Sequence, residues 1–233
     1  MNVLITGASK GIGRELCLQF ANKQKCNIIA ISRDNEKLLE LSNEINSKSI
    51  SKLIPISFDL KNSNISQITN AVAELGNLNI LINNAAILIN KKFINITDEE
   101  IIEILNINFV ASARLIRELH KYMGNESKSH IINISSMGGF QGSMKFSGMS
   151  IYNASKAALS CLSEILAVEF EKDNISVNCL AIGAVQTEML TSAFPNFKAP
   201  LKSEEMAEYI VDFAMNGNKY FNGKVLPVAV SIP

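Results

Sequence analysis

The sequence predicts a doubly wound, mostly parallel α/β sheet of seven strands with helices on both faces. Three observations carry this. Short β-branched runs alternate with longer amphipathic stretches from one end of the chain to the other. Most of the short runs are nearly continuous in apolar residues, the mark of a parallel strand covered on both faces. The composition agrees, with 47% apolar and 19% charged residues in 233 and a mean hydropathy of +0.16. That length suits one large domain over residues 1–233 and would cramp two.

The expected strands are Val3–Thr6, Asn27–Ser32, Leu53–Phe58, Ile80–Asn83, His130–Ile134, Ser176–Ala181 and Lys224–Val230. Behind the first strand, Ile12, Leu16 and Phe20 recur at i, i+4 and i+8 and set an apolar stripe on one helix face. Asp98, Glu99 and Glu100 place acidic residues in the first turn of a later helix, where its dipole favours them. Strand–helix–strand units of this kind cross over right-handed and build an open sheet. Two stretches break the rhythm, Met137–Ser150 and Thr191–Pro200. Each follows a strand's carboxyl end, where open sheets bind ligands.

Charge and cysteines narrow the function classes. Twenty-two basic residues balance 22 acidic ones, so no electrostatic footprint for nucleic acid or an anionic membrane is expected. Cys17, Cys26, Cys161 and Cys179 form no Cys-x-x-Cys pair and read as thiols in a reducing cytoplasm. No apolar run reaches a membrane span, and the first residues already read as a strand instead of a charged leader. His120 and His130 lack a Cys or carboxylate cluster at ligand spacing, so no metal site is expected. Ser49-Ile50-Ser51-Lys52 lacks the companion motifs of a penicillin-binding protein.

The first strand runs into Thr6-Gly7-Ala8-Ser9-Lys10-Gly11-Ile12-Gly13 and then a helix. Glycines permit the tight turn and let the backbone approach a pyrophosphate at the helix N-terminus. The spacing is neither a P-loop nor a Gly-x-Gly-x-x-Gly fingerprint. Further landmarks follow in order: Asp59-Leu60, Asn83-Asn84-Ala85-Ala86, Asn108, Ser135-Ser136, Tyr152-x-x-x-Lys156, and Asn178 through Thr187. With this ordered set the chain resembles the short-chain dehydrogenase/reductase family over almost its whole length.

The chemistry of the residues agrees with the resemblance. Tyr152 and Lys156 are four apart in a helix-period stretch and share one face. A free tyrosine, with a pKa near 10, is a poor acid–base at neutrality. An adjacent ammonium, with the positive ring of an oxidised nicotinamide, is expected to lower that pKa. The resemblance implies a Rossmann-type fold and Tyr152 as the general acid of carbonyl reduction. Lys156 would tune it and hold the nicotinamide ribose. Ser136, in preference to Ser135, would bond the substrate carbonyl, and Asn108 would maintain a water-linked proton relay. The resemblance also implies cofactor contacts from Gly7, Ser9, Lys10, Gly11, Ile12, Gly13, Ser32, Arg33, Asp59, Leu60, Asn84, Ala85, Ala86, Tyr152, Lys156, Gly183, Val185 and Thr187.

NADP(H) is the expected cofactor. NAD-binding relatives tend to carry an acidic residue at the end of the second strand. Ser32 stands there, followed by Arg33, whose guanidinium suits a 2′-phosphate, with Lys10 nearby. The sequence departs from the family pattern at three places: a longer Ser136–Tyr152 interval, Ala86 in place of a glycine, and Ile182 in place of a proline. The short stretch from Thr187 to Glu204 implies a small substrate lid.

Phe140, Met144, Phe146, Met149, Phe194 and Phe197 imply an apolar pocket that admits a ketone, a pteridine or a sugar-derived carbonyl. The expected activity is NADPH-dependent reduction of a small carbonyl to an alcohol. A catalytically idle NADP(H)-binding regulator is the alternative. A homodimer or homotetramer is expected, because Ala157, Ala158, Cys161, Leu162, Ile165 and Leu166 give the Tyr152 helix more apolar surface than one stripe needs.

Overall fold

Alternate residues of each strand face opposite helical layers, and the computed structural model shows both faces packed. It describes residues 1–125 and 127–230. On one face Val3, Ile5, Ile28, Ala30, Ile82, Ile132 and Leu180 pack against helices α1 (Gly11–Lys23), α2 (Asn35–Lys48) and α8 (Ser203–Asn216). On the other, Leu4, Ile29, Ile31, Leu81, Ile131 and Val177 meet α3 (Ser66–Leu75), α5 (Ala111–Leu119) and the distal end of α6 (Ser150–Glu169). A period of two in each strand therefore feeds two cores at once.

The main sheet comprises β1 (Asn2–Thr6), β2 (Asn27–Ser32), β3 (Lys52–Ser57), β4 (Ile80–Asn83), β5 (Ser129–Ser136), β6 (Ile175–Ile182) and β9 (Val225–Val228). Its order is β3-β2-β1-β4-β5-β6-β9. All of its pairings are parallel, where the sequence led us to expect a mostly parallel sheet. The expected strands are all present, β5 and β6 each extended at both ends. Strand order reverses between β1 and β4, which opens a crevice at their carboxyl ends.

The expected acidic helix start belongs to α4 (Asp98–Leu105), where Thr97 and Glu100 form a capping box. Asp34 caps α2 by accepting from the Lys37 amide at 3.1 Å. Two features escaped the sequence reading. Thr191–Ala193 belong to a short helix, α7 (Glu188–Ala193), and a two-stranded ribbon pairs β7 (Val185–Gln186) with β8 (Leu201–Lys202). Strands of two residues carry no periodicity to detect. The ribbon and a bond from the Gly183 amide to the Val228 carbonyl, 2.8 Å, brace the segment where Ile182 replaces the family's proline. Among the described residues, no helix is long and apolar enough to cross a membrane.

Candidate active site

The glycine loop is stitched to the neighbouring strand end by Thr6. Its hydroxyl accepts from the amides of Asn84 and Ala85 at 3.0 and 2.9 Å, while Asn84 Nδ2 donates to the Thr6 carbonyl at 2.9 Å. Gly13 packs so tightly that a Cβ there would lie 2.1 Å from the Gly7 carbonyl oxygen. Among the described residues no side chain caps the N-terminus of α1. Its first amides and the positive end of its dipole are thus left facing the crevice, a cradle suited to a pyrophosphate.

A cavity of about 760 Å³ runs along this loop and the strand ends, of a size to take a dinucleotide's reactive half with a small substrate. At one end the Ser32 hydroxyl donates to Ser9 Oγ at 2.7 Å, and the exposed Arg33 lines the wall beside it. Among the described residues Arg33 has no ion-pair partner. Lys10 also lines the cavity. Its ammonium reaches across the loop to Glu188, 2.8 Å away, at the start of α7.

At the other end stand the groups with acid–base character. Strand β5 ends in Ser135 and Ser136, which point in opposite senses, as successive strand residues must. Ser135 Oγ donates to the Lys156 carbonyl at 2.8 Å and is buried. Ser136 Oγ accepts from the Gly138 amide, at 3.2 Å, and lines the cavity. Tyr152 and Lys156 lie one turn apart on α6, the ammonium 5.9 Å from the phenol ring centroid. Lys156 is 2% exposed and donates to the Ile134 carbonyl at 2.7 Å.

Burial governs both titrations. It lowers the Lys156 pKa to about 8 and raises that of Tyr152, with the Ser136 hydroxyl pulling the phenol back down. The expected depression of the Tyr152 pKa by Lys156 is therefore not produced by the protein groups alone. The ammonium is turned to the Ile134 carbonyl, and the loss of hydration around the phenol dominates.

Every site residue expected from the sequence lines this cavity except Asn108. Asn108 sits fully buried in a π-helical turn, Asn106–Val110, between α4 and α5. It bonds the Ile87 backbone and donates to Ser155 Oγ at 3.0 Å. Ser155 Oγ in turn donates to the Tyr152 carbonyl at 2.7 Å. Asn178 does not line the cavity and bonds His130 and the Phe221 carbonyl.

Of the six apolar residues expected to form the pocket, all but Phe140 line it. The sequence reading missed Lys37, Ile87, Leu88, Glu188 and Leu190, which also line the cavity. Lys37 carried a usable signal, since Asp34 three residues earlier caps its helix and sets Lys37 in the first turn beside Arg33.

Comparison with known proteins gives a consistent picture. A short chain dehydrogenase family model matches residues 1–197. The chain is 30% identical to 3-oxoacyl-(acyl-carrier-protein) reductase FabG of Chlamydia trachomatis, over 97% of this chain and 94% of that one. The solved structure of L-sorbose reductase from Gluconobacter frateurii, complexed with NADPH and L-sorbose, superposes with a TM-score of 0.89. It is 26% identical, covering 99% of this chain and 95% of its own. A 4-hydroxyisoleucine dehydrogenase complexed with NADH gives a TM-score of 0.85 at 26% identity, covering 98% and 96%.

Proposed function

The chain belongs to the short-chain dehydrogenase family and is an oxidoreductase, and on that premise we propose that it reduces a small carbonyl compound to an alcohol with NADPH. One observation carries the reading. Ser136, Tyr152 and Lys156 converge on a cavity continuous with the glycine loop and the uncapped start of α1.

The loop residues Gly7, Ser9, Gly11, Ile12 and Gly13 would hold the pyrophosphate. Asp59, Leu60, Asn84, Ala85 and Ala86 would line the adenosine side, and Gly183, Val185 and Thr187 the nicotinamide side. Ser32 offers a hydroxyl where a carboxylate would repel a 2′-phosphate, and the unpaired guanidinium of Arg33 supplies the matching charge. Relatives bound to NADPH and to NADH both exist. The choice of NADPH therefore rests on Ser32 and Arg33.

When bound, the reduced nicotinamide supplies the hydride. The oxygen of the carbonyl must gain a proton as its carbon gains that hydride. Tyr152 keeps its proton through the neutral range because burial raises its pKa, so it holds the form that reduction consumes. Ser136 has a hydroxyl free to donate to the same oxygen, whereas Ser135 is committed to the Lys156 carbonyl. With the cofactor bound, the Lys156 ammonium and the oxidised nicotinamide ring together would stabilise the phenolate left behind. Asn108, through Ser155, fixes the turn of α6 that carries Tyr152.

The helix α6 also supports association into a homodimer or homotetramer. Ala157, Cys161 and Ile165 are exposed along one stripe, flanked by the half-buried Ala158, Leu162 and Leu166. The buried free thiols Cys17, Cys26 and Cys179 suit a cytoplasmic setting. Light scattering showing a monomer at micromolar concentration would remove the oligomer.

The activity is tested by following NADPH absorbance while the purified protein meets a broad panel of aldehydes and ketones. Turnover of at least one carbonyl supports the reading. Tight NADPH binding with no turnover anywhere in the panel replaces it with an idle, cofactor-binding regulator.

A further inference from the structure

Two segments bound the cavity beside Ser136 and Tyr152, residues 137–149 and residues 188–197. Met144, Phe146 and Phe197 are 57%, 59% and 49% exposed, yet all three line the cavity, together with Met149, Leu190 and Phe194. Apolar side chains left open to water around reactive hydroxyls mark where a ligand covers them.

The two segments are linked through residues 90 and 91. Asn90 Nδ2 donates to the Ala193 carbonyl at 3.0 Å, tying down the end of α7. The Lys91 amide donates to the Gly148 carbonyl at 2.9 Å. Gly148 seats against Asn90 so closely that a Cβ there would lie 2.0 Å from Oδ1. One short stretch thus holds both walls.

Among the charged side chains that line the cavity, Glu188 alone belongs to these walls. Arg33, Asp34 and Lys37 line the cavity at the end of β2, and Lys10 and Glu188 neutralise each other. Lys145 belongs to the first segment but turns its ammonium back to the Phe140 carbonyl, 2.6 Å, and Ser143 Oγ, 2.7 Å. A substrate with several hydroxyls or an acidic arm would lose water here and find few partners beyond the reacting groups, a large penalty in a buried site.

We propose that the substrate is an uncharged ketone whose substituent is a hydrocarbon, seated between Met144, Phe146 and Met149 on one side and Leu190, Phe194 and Phe197 on the other. This rests on the reductase reading given above and narrows it.

The test measures kcat/KM of the full chain with NADPH on butanone, hexan-2-one and octan-2-one, beside L-sorbose and acetoacetyl coenzyme A. The expected rise is about fourfold for each added methylene, the transfer free energy of a buried methylene expressed as a rate ratio. Both polar carbonyls are expected to fall below hexan-2-one. A flat series, or preference for L-sorbose or the thioester, overturns the substrate class while the reductase reading stands. No turnover of any ketone in the series also overturns the class, and the broad carbonyl panel then decides the reductase reading by itself. Phe146→Ser with Phe197→Ser is expected to flatten the series, with circular dichroism and NADPH binding by fluorescence reporting that the variant is folded. The milder Phe146→Leu is expected to flatten it less and covers the case of a misfolded double variant. An undiminished rise in both variants overturns the placement.

Discussion

The side chain of Asn108 satisfies both backbone groups of Ile87, accepting from its amide at 2.8 Å and donating to its carbonyl at 3.0 Å. The pair joins a π-helical turn to the segment that leaves β4, and the same Nδ2 reaches Ser155 on the Tyr152 helix. A π-turn inside a helix costs regular hydrogen bonding and frequently occurs at functional sites. Here it brings a buried amide to the junction of three elements that shape the cavity.

Asn108→Ala leaves the half-buried Ile87 amide and carbonyl without their side-chain partner and removes the buried bond to Ser155. A loss of about 2 to 4 kcal/mol in unfolding free energy is expected, with carbonyl reduction impaired as well because the Tyr152 turn loses its anchor. Denaturant unfolding beside steady-state kinetics checks this. A variant as stable as the parent would show that the Ile87 groups find other partners.

Cofactor choice is tested at the end of β2. Ser32→Asp with Arg33→Ala places a carboxylate beside Ser9 and removes the guanidinium of Arg33. NADPH affinity should fall by about ten- to a hundredfold, the worth of one charge-assisted contact, while NADH affinity rises. Fluorescence titration of both cofactors reads the reversal. Equal affinities of the unmodified chain for NADPH and NADH would remove the assignment.

Lys156 is expected to weaken the fold at neutrality. Its folded pKa of about 8 lies below the ordinary value of 10.5, so between these values the unfolded chain binds more protons and stability rises with pH. Lys156→Met removes the buried charge and one bond to the Ile134 carbonyl, leaving a net gain of about 2 kcal/mol at pH 7. The gain should shrink as the pH approaches 10. Thermal unfolding of both proteins across that range decides it, and a variant less stable than the parent at pH 7 would contradict the argument.

The same titration predicts a pH profile. For carbonyl reduction, kcat/KM reports the free enzyme and should fall on the alkaline side with a midpoint near 8 as the ammonium is lost. A profile flat through pH 9 would dissociate Lys156 from catalysis.

The sheet was legible because its strands are apolar on both faces, as Val3-Leu4-Ile5 and Ile28-Ile29-Ala30-Ile31 show, and their seven runs survive almost unchanged in the structure. The cavity lining was legible because glycine turns and the Tyr–Lys spacing are local patterns. What stayed hidden was long-range. Nothing near Lys10 announces Glu188, its partner 178 positions later. Asn90 gives no motif, since its value lies in reaching Ala193 and meeting Gly148. Phe140 looks like its apolar neighbours in sequence, yet it follows the 3-10 turn Met137–Gly139 and does not line the cavity. The direction of the Tyr152 shift depended on burial, which spacing alone does not report.

The central claim is that Tyr152 supplies the proton, and Tyr152→Phe tests it most directly because it removes one hydroxyl and keeps the ring's packing. The measurement pairs steady-state reduction of the best carbonyl with NADPH binding by fluorescence. Loss of general acid catalysis predicts a fall in kcat of about 10²- to 10⁴-fold, roughly 3 to 5 kcal/mol in the barrier, with NADPH affinity nearly unchanged. A Tyr152→Phe protein that turns over at close to the parent rate would contradict the account.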